Sequence, residues 1–481
     1  MERMKKVGHV RIKRPEEMPD SRIGIGFEKL DRAVFDPEKA YDKIAALGVR
    51  WIRLQSGWQR TEREKGVYDF AWLDSIVDNF IRRGCTPWIC LCYGNRLYNE
   101  EAGKLFGAVG VPPVRTEEQR AGWRNYVRAL ASHFAGRVSW LEVWNEPEYN
   151  WRDETLERNM GRPESGEEYG RFVIDTAKAA REGNPDVRII GGVVCRNDLN
   201  FPYHAFEAGM GAYIDAFSFH EYTADETTVP VKVGYLGGLC RRYNPSIRLI
   251  QGESGSQSRS DGCGALSGCA WTPEKQAKQC LRHTVMDLST EVLFTSYFTS
   301  VDMIEALNGI EGEKASYLDY GYFGVLSADF DEEGFSTGAY TPKPSYYALQ
   351  TLCSVFGERF RCEPLPANFL TLASVRTQGL DTPAAEVLRV DFSRENGSFA
   401  LAYWKGSELL TTSFEGTTSL HLAALPEKIH LIDLATGDVY DIPKSMELNR
   451  DGNCYTLKNI PIRDYPMLLT FGDFTDIEYD V

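Results

Sequence analysis

The chain has 481 residues, too many for one ordinary core, and its 43% hydrophobic and 12% aromatic content excludes disorder and predicts two filled domains. A formal net charge of −15 opposes nucleic acid or an anionic membrane surface as partner, because both need basic surface. No apolar run approaches the ~20 residues that cross a bilayer, so no membrane partner is expected.

The basic start, from Arg3 to Arg14, is short and reads as a solvated edge rather than a binding arm. No apolar signal-peptide core follows Met1, which predicts a cytoplasmic protein. Eleven cysteines, an odd number spread over every kind of segment, suit reduced thiols better than a disulfide framework. Cys85, Cys90 and Cys92 lie close together, as do Cys263 and Cys269. Neither group has zinc-site spacing with a matching pair, so no metal is expected.

From Ser21 onward strands alternate with helices. Ile23 to Phe27 reads as a buried strand, and Asp36 then caps a helix with Pro37 at its first position and Ala40, Ile44 and Leu47 on one face. Gly48 stops that helix, and Val49 to Leu54 is the second strand. Asp69 begins a helix through Leu73, Ile76, Val77 and Phe80, followed by a strand from Pro87 to Cys92. Thr116 starts a long helix carrying Trp123, Tyr126, Val127, Leu130 and Phe134, and Val138 to Trp144 is the fourth strand. Helices from Ser165, Tyr203 and Pro230 separate strands beginning at Val187, Ile214 and Ile247. Thr272 and Pro273 open a helix to Leu288, Val292 to Phe298 is the eighth strand, and Pro344 to Phe356 is a last helix.

Eight strand-then-helix units over residues 21–356 predict an α/β fold, a closed (β/α)8 TIM barrel. A doubly wound open sheet would carry a glycine-rich phosphate turn after its first strand, whereas Gly24 and Gly26 lie inside that strand. Past Glu358 the pattern changes to short strands broken by Glu395-Asn-Gly397, Thr436-Gly-Asp438 and Asp451-Gly-Asn453. This predicts an accessory antiparallel β-sandwich over residues 357–481. Residues 1–20 form an N-terminal segment in which Val10 and Ile12 could add a strand to that sandwich. The Gly- and Ser-rich stretch from Ser254 to Ala270 is a candidate pocket rim.

In such a barrel the carboxyl ends of the strands converge on one pocket, so polar strand ends are the candidates. They are Arg53 and Gln55 on the second strand, Asn145 and Glu146 on the fourth, and His220, Glu221 and Tyr222 on the sixth. Glu253 ends the seventh, and Asp302 and Glu305 follow the eighth. An unpaired carboxylate at the end of a buried strand is costly, which argues that Glu146 is half of a pair closed by Glu253. Two facing carboxylates can protonate a leaving oxygen and attack an acetal carbon. Glu142 is expected to point between barrel and helices, with no catalytic role.

The run Trp144-Asn145-Glu146-Pro147, with Glu253 on a later strand, resembles the retaining glycoside hydrolases of clan A. Within that clan the chain looks most like glycoside hydrolase family 39, the β-xylosidase and α-L-iduronidase family. The likeness rests also on Val49 to Arg53, Gly66 to Phe70, Phe298 to Glu305 and Pro342 to Ala348. The family more often has tryptophan where this chain has Phe298.

The resemblance implies a retaining exo-glycosidase for small carbohydrate substrates, β-xylosidase-like first, working without metal or organic cofactor. Other clan A specificities are the alternative: an α-L-arabinosidase, a β-glucosidase, a β-galactosidase or a transglycosylase. A catalytically inactive sugar-binding protein is the rival outside enzymes. Glu146 is implied as the acid/base, Glu253 as the nucleophile and Asn145 as the ligand of the sugar 2-hydroxyl. His220 and Tyr222 would orient the carboxylates, and Arg53 would keep Glu253 ionised. Trp58, Trp88, Trp151 and Trp271 are the candidate sugar platforms, and Glu305 a hydroxyl contact. Neither the sugar nor the oligomeric state, a homo-oligomer included, is fixed by these residues.

Overall fold

In the computed structural model eight parallel strands close into a barrel among the described residues. The structure describes residues 4–480 apart from 101, 103–110, 151–162, 308–317, 370–373, 378–379, 384–386, 407–408, 410, 412–413, 415, 424–427 and 451–453. The barrel strands, in order, are Ile23–Gly26, Trp51–Gln55, Thr86–Leu91, Trp140–Val143, Arg188–Val194, Ala216–His220, Arg248–Ser254 and Thr295–Tyr297. Ile23 pairs with Thr295, which shuts the ring. Gly24 is required where the first two strands meet, because a Cβ there would lie 2.7 Å from the Cβ of Trp51.

The sequence signals and the elements agree in kind and differ at the ends. Thr116 caps the helix Glu117–His133 by accepting from the backbone N–H of Gln119, and Thr272 caps Pro273–Leu288 in the same way through Lys275. Asp36 caps a short turn, Pro37–Lys39, before the helix Tyr41–Ala46 begins. The sixth and seventh strands run further than the apolar pattern suggested, so His220 and Glu253 lie within strands rather than beyond them. The eighth is shorter, Thr295–Tyr297. Two hairpins after it, Met303–Leu307 with Leu318–Gly321 and Leu326–Phe330 with Ser336–Pro342, were not foreseen.

Inside the barrel an apolar floor is built from Trp88, Trp140, Ile190, Ala216, Ile250 and Phe294, with Trp51 against it. Trp88, a candidate platform, is therefore core, its ring 4.9 Å from that of Phe294. Residues of opposite phase, such as Leu141 and Val143, face the helices in the main core.

The C-terminal region holds an eight-stranded sheet and a four-stranded sheet. In the larger, Phe399–Lys405, Met467–Phe471 and Ile429–Asp433 are central, and Lys6–Val10 pairs with both Asp438–Asp441 and Ile477–Tyr479. In the smaller, Gly416–Leu422 and Cys454–Ile462 are central. Leu401, Tyr403, Leu431 and Leu469 pack with Leu420, Leu422 and Leu457 in a layer between them. The helix Pro273–Leu288 is buried on every side from Gln276 onward. Its polar residues find partners: Lys278 pairs with Asp464 at 2.8 Å and Arg282 with Glu226 at 2.7 Å. The Trp404 indole N–H, from the large sheet, donates to the same Glu226 at 2.9 Å. Among the described residues no helix is long and apolar enough to cross a membrane.

Candidate active site

Arg53, fully buried on the second barrel strand, is the hub of the barrel mouth. Its Nε donates to Glu142 at 2.7 Å, Nη1 to Glu28 at 3.2 Å and Nη2 to Asn145 Oδ1 at 2.9 Å. The same Nη1 holds Glu253 Oε1. One guanidinium thus joins the first, second, fourth and seventh strands, using the planar fork that suits carboxylates.

Glu142 corrects the expectation from sequence. It points into the barrel, because Trp140 and Glu142 share the inward phase of their strand while Leu141 and Val143 face the helices. Glu28 was missed altogether. Glu28 and Lys29, just past the first strand, carry the same polar strand-end signal as Glu146 and Glu253.

At the end of the fourth strand the chain turns sharply. Trp144 and Glu146 take left-handed φ angles of 68° and 46°, the kind of local strain that persists where surrounding structure fixes it. The turn delivers Asn145 and Glu146 to the mouth. His220 Nδ1 lies 2.9 Å from Glu146 Oε1 and 3.6 Å from Glu253 Oε2. The Tyr222 hydroxyl donates to Glu253 Oε2 at 2.8 Å. One ligand atom each from Glu146, His220 and Glu253 lies within 4.8 Å of the others. It is the grouping among the described residues that could take a metal ion. The Arg53 guanidinium, however, already sets a fixed positive charge on Glu253.

The electrostatics separate the acids. Burial pushes the Glu253 carboxyl up, but the charges of His220 and Arg53, the Tyr222 hydroxyl and Lys29 outweigh it and hold it below the usual value. Burial pulls His220 down, yet the carboxylates of Glu253 and Glu146 raise it above its ordinary value. Burial and the Glu253 charge raise Glu28 to about 7 despite Arg53. Burial likewise raises Glu148 to about 7, although the backbone N–H of Arg196 donates to it at 2.8 Å.

The remaining expected residues divide. Glu305 reaches the mouth through Lys29, whose Nζ pairs with it at 3.0 Å and acts electrostatically on Glu253. Trp58 has no exposed surface. It stacks on both Tyr98 and Tyr126 and donates its indole N–H to Glu62, so it is core rather than platform. Trp271 is nearly buried in the loop before its helix, its N–H donating to the Leu266 carbonyl at 3.0 Å. Trp151 lies outside the described residues. The aromatic group beside the carboxylates is instead Tyr222, Phe298 and Phe323, mutually edge-on at 5.3–6.2 Å.

The sequence model of Glycosyl hydrolases family 39 matches residues 39–233, which include Arg53, Asn145, Glu146, His220 and Tyr222. Over those residues the chain resembles the glycosyl hydrolases of family 39. The chain is 26% identical over 225 residues to a β-xylosidase of Geobacillus stearothermophilus, covering 42% of this chain and 41% of that one. It is 25% identical over 351 residues to a β-xylosidase of Caldicellulosiruptor saccharolyticus, covering 66% of this chain and 64% of that one. The matches thus span less than two thirds of either relative. Among solved structures, a family 39 glycoside hydrolase of Bacteroides cellulosilyticus WH2 superposes with a TM-score of 0.65 at 18% identity. That match covers 96% of this chain and 82% of that one. A monomeric β-xylosidase of Caulobacter crescentus CB15 gives 0.59 at 16% identity, covering 97% of each chain. At those identities the superpositions speak for the fold alone, a closed barrel followed by C-terminal sheets.

Proposed function

We propose that this protein is a retaining glycoside hydrolase that cleaves small glycosides by double displacement. The observation that carries the reading is that Glu146 and Glu253 face one another at the barrel mouth, one oxygen of each lying within 4.8 Å of the other and of a His220 nitrogen. Retaining pairs stand about 5–5.5 Å apart, whereas inverting pairs need roughly 6.5–9.5 Å to admit a water.

In the first step the Glu253 carboxylate attacks the anomeric carbon while Glu146 gives its proton to the departing oxygen. The C–O bond to the leaving group breaks as the glycosyl ester to Glu253 forms. In the second, Glu146, now a carboxylate, takes a proton from water as the water attacks the same carbon and frees Glu253. Arg53, His220 and Tyr222 favour the ionised form of Glu253 that the first step needs. Arg53 also fixes the amide of Asn145 for the sugar 2-hydroxyl. Glu305 and Lys29 offer further polar contacts.

A β-xyloside is the first substrate to try, because the curated relatives are β-xylosidases. Exo-action on small, imported glycosides is part of the reading and follows from a cytoplasmic setting, with which unpaired thiols such as Cys85, Cys90, Cys240 and Cys280 are compatible. Proton NMR of the first-formed sugar from aryl β-xyloside, β-glucoside, β-galactoside and α-L-arabinoside tests both points. Retention is expected. Inversion would remove Glu253 as nucleophile, and activity on glucosides alone would remove the xylosidase specificity. Glu253→Gly should lower turnover roughly 10⁴-fold or more, with azide restoring glycosyl azide formation. No turnover of any of these glycosides, with no change on Glu253→Gly and no azide rescue, would mean a sugar-binding protein.

A further inference from the structure

A cavity of about 400 Å³ opens among the segments that follow the first three barrel strands, and its wall is made of four arginines, Arg32, Arg60, Arg63 and Arg96, with Asp31 and Gln59 between them. In a chain of net charge −15 this is a local reversal of sign. The single acid is already engaged, since Asp31 pairs with Arg32 at 3.3 Å. The Arg32 side chain is buried, lies 5.4 Å from the ring centroid of Tyr93 and donates to Gln55. Arg60 is fixed over the Trp72 ring at 4.4 Å and by its hydrogen bond to the Leu30 carbonyl. Arg63 and Arg96 are exposed, and among the described residues neither side chain has an acid or acceptor. The Gln59 amide nitrogen is a further donor without a partner among the described residues, its oxygen being taken by the backbone N–H of Arg96 at 3.0 Å. Every uncommitted group in the wall is therefore a donor or a positive charge.

The cavity belongs to the same face of the barrel as the carboxylates. Gln55, at the carboxyl end of the second strand, accepts from Arg32 on one side and from the backbone N–H of Lys29 on the other. Arg53 stands two residues before it, holding Glu253. None of the carboxylate-site residues lines the cavity, so it is a neighbouring compartment and not the seat of the sugar being cut.

We propose that this compartment binds an oxyanion carried by the substrate, a carboxylate or phosphate ester on the sugar unit beside the one held by Glu146 and Glu253. Guanidinium forks pair bidentately with both kinds of oxyanion, and a concave site strengthens each charge-assisted bond. The substrate class is then an acidic glycoside rather than a neutral one. This rests on the glycosidase reading above.

Calorimetric titration of the full chain with glucose, glucuronate and glucose 6-phosphate tests it, since the three probes differ only in the group at one carbon. At least one of the two anionic sugars should bind about ten-fold or more tightly than glucose, and added chloride should erode that advantage. Arg63→Ser with Arg96→Ser should abolish it, with the circular dichroism spectrum unchanged because both side chains are exposed. A larger advantage for glucuronate assigns a carboxylate, and for glucose 6-phosphate a phosphate ester. Equal affinity for all three sugars, or an advantage that survives the double substitution, overturns the proposal. Hydrolysis of aryl glycosides, both neutral ones and the anionic glucuronide, by the unaltered chain is read in parallel. Hydrolysis without anion discrimination sinks the compartment and leaves the glycosidase standing, while discrimination without any hydrolysis does the reverse.

Discussion

Arg53 is the residue on which the candidate site depends. It is surrounded by Glu28, Glu142 and Glu253, all but Glu253 with almost no exposed surface. Removing one partner of a buried ionic cluster leaves uncompensated charge, which costs about 3–5 kcal/mol. Arg53→Met is therefore expected to destabilise the fold by that order in chemical denaturation, and a loss under about 1 kcal/mol would mean that the acids simply take up protons. Glu148 makes a complementary prediction. Its carboxyl is raised from 4.5 to about 7, so the folded chain binds a proton there that the unfolded chain releases. Its contribution to stability is full below about pH 4.5 and declines as pH rises toward about 7, by an amount on the order of 3 kcal/mol. Glu148→Gln should flatten that part of the stability–pH curve, and an unaltered slope would exclude Glu148 as its source. Glu253 has the opposite sign. Its lowered carboxyl adds stability above the ordinary carboxylate range, lost as the solution is acidified through the depressed value.

At the scale of elements, the proposed chemistry rests on strand ends rather than on helices, and the helices set where those ends point. The helix Glu117–His133 packs Trp123 and Tyr126 around the buried Trp58. Its start depends on the Thr116 hydroxyl, which accepts from Gln119 at 3.2 Å. Thr116→Ala should cost about 1 kcal/mol in denaturant unfolding, while Thr116→Ser should cost little, since serine keeps the cap. Strand phase explains the one inverted side chain. Trp140-Leu-Glu-Val143 is buried on both faces and has a large apolar residue on each, so periodicity alone does not say which parity looks inward, and the side taken by Glu142 is not legible in it. The tryptophans failed for a related reason. Trp58, Trp88 and Trp271 are large enough to serve a core or a sugar face, and only their neighbours distinguish the two.

For the whole molecule, barrel and C-terminal sheets share one continuous core: Val390, Phe392, Trp404 and Leu468 belong to the same apolar cluster as the barrel helices. Polar ties cross it at Lys278–Asp464 and Trp404–Glu226. A chain cut after residue 356 would expose the fully buried helix Pro273–Leu288 along its outer side. Such a fragment is expected to aggregate in size-exclusion chromatography, and a monodisperse, cooperatively melting fragment would show that the barrel is self-sufficient. By itself the sequence determined the alternation of strands and helices, the change of pattern after the barrel and the strand-end identity of Glu146, Glu253, His220 and Arg53. Those follow from local periodicity and from the cost of burying unpaired charge. Tertiary structure alone decided the distance between the two carboxylates, the sharing of one guanidinium by four strands and the gathering of Arg32, Arg60, Arg63 and Arg96 around one cavity. Each of these depends on closing the ring, which brings residues tens to hundreds apart in the chain within a few ångströms, and no local pattern encodes that distance.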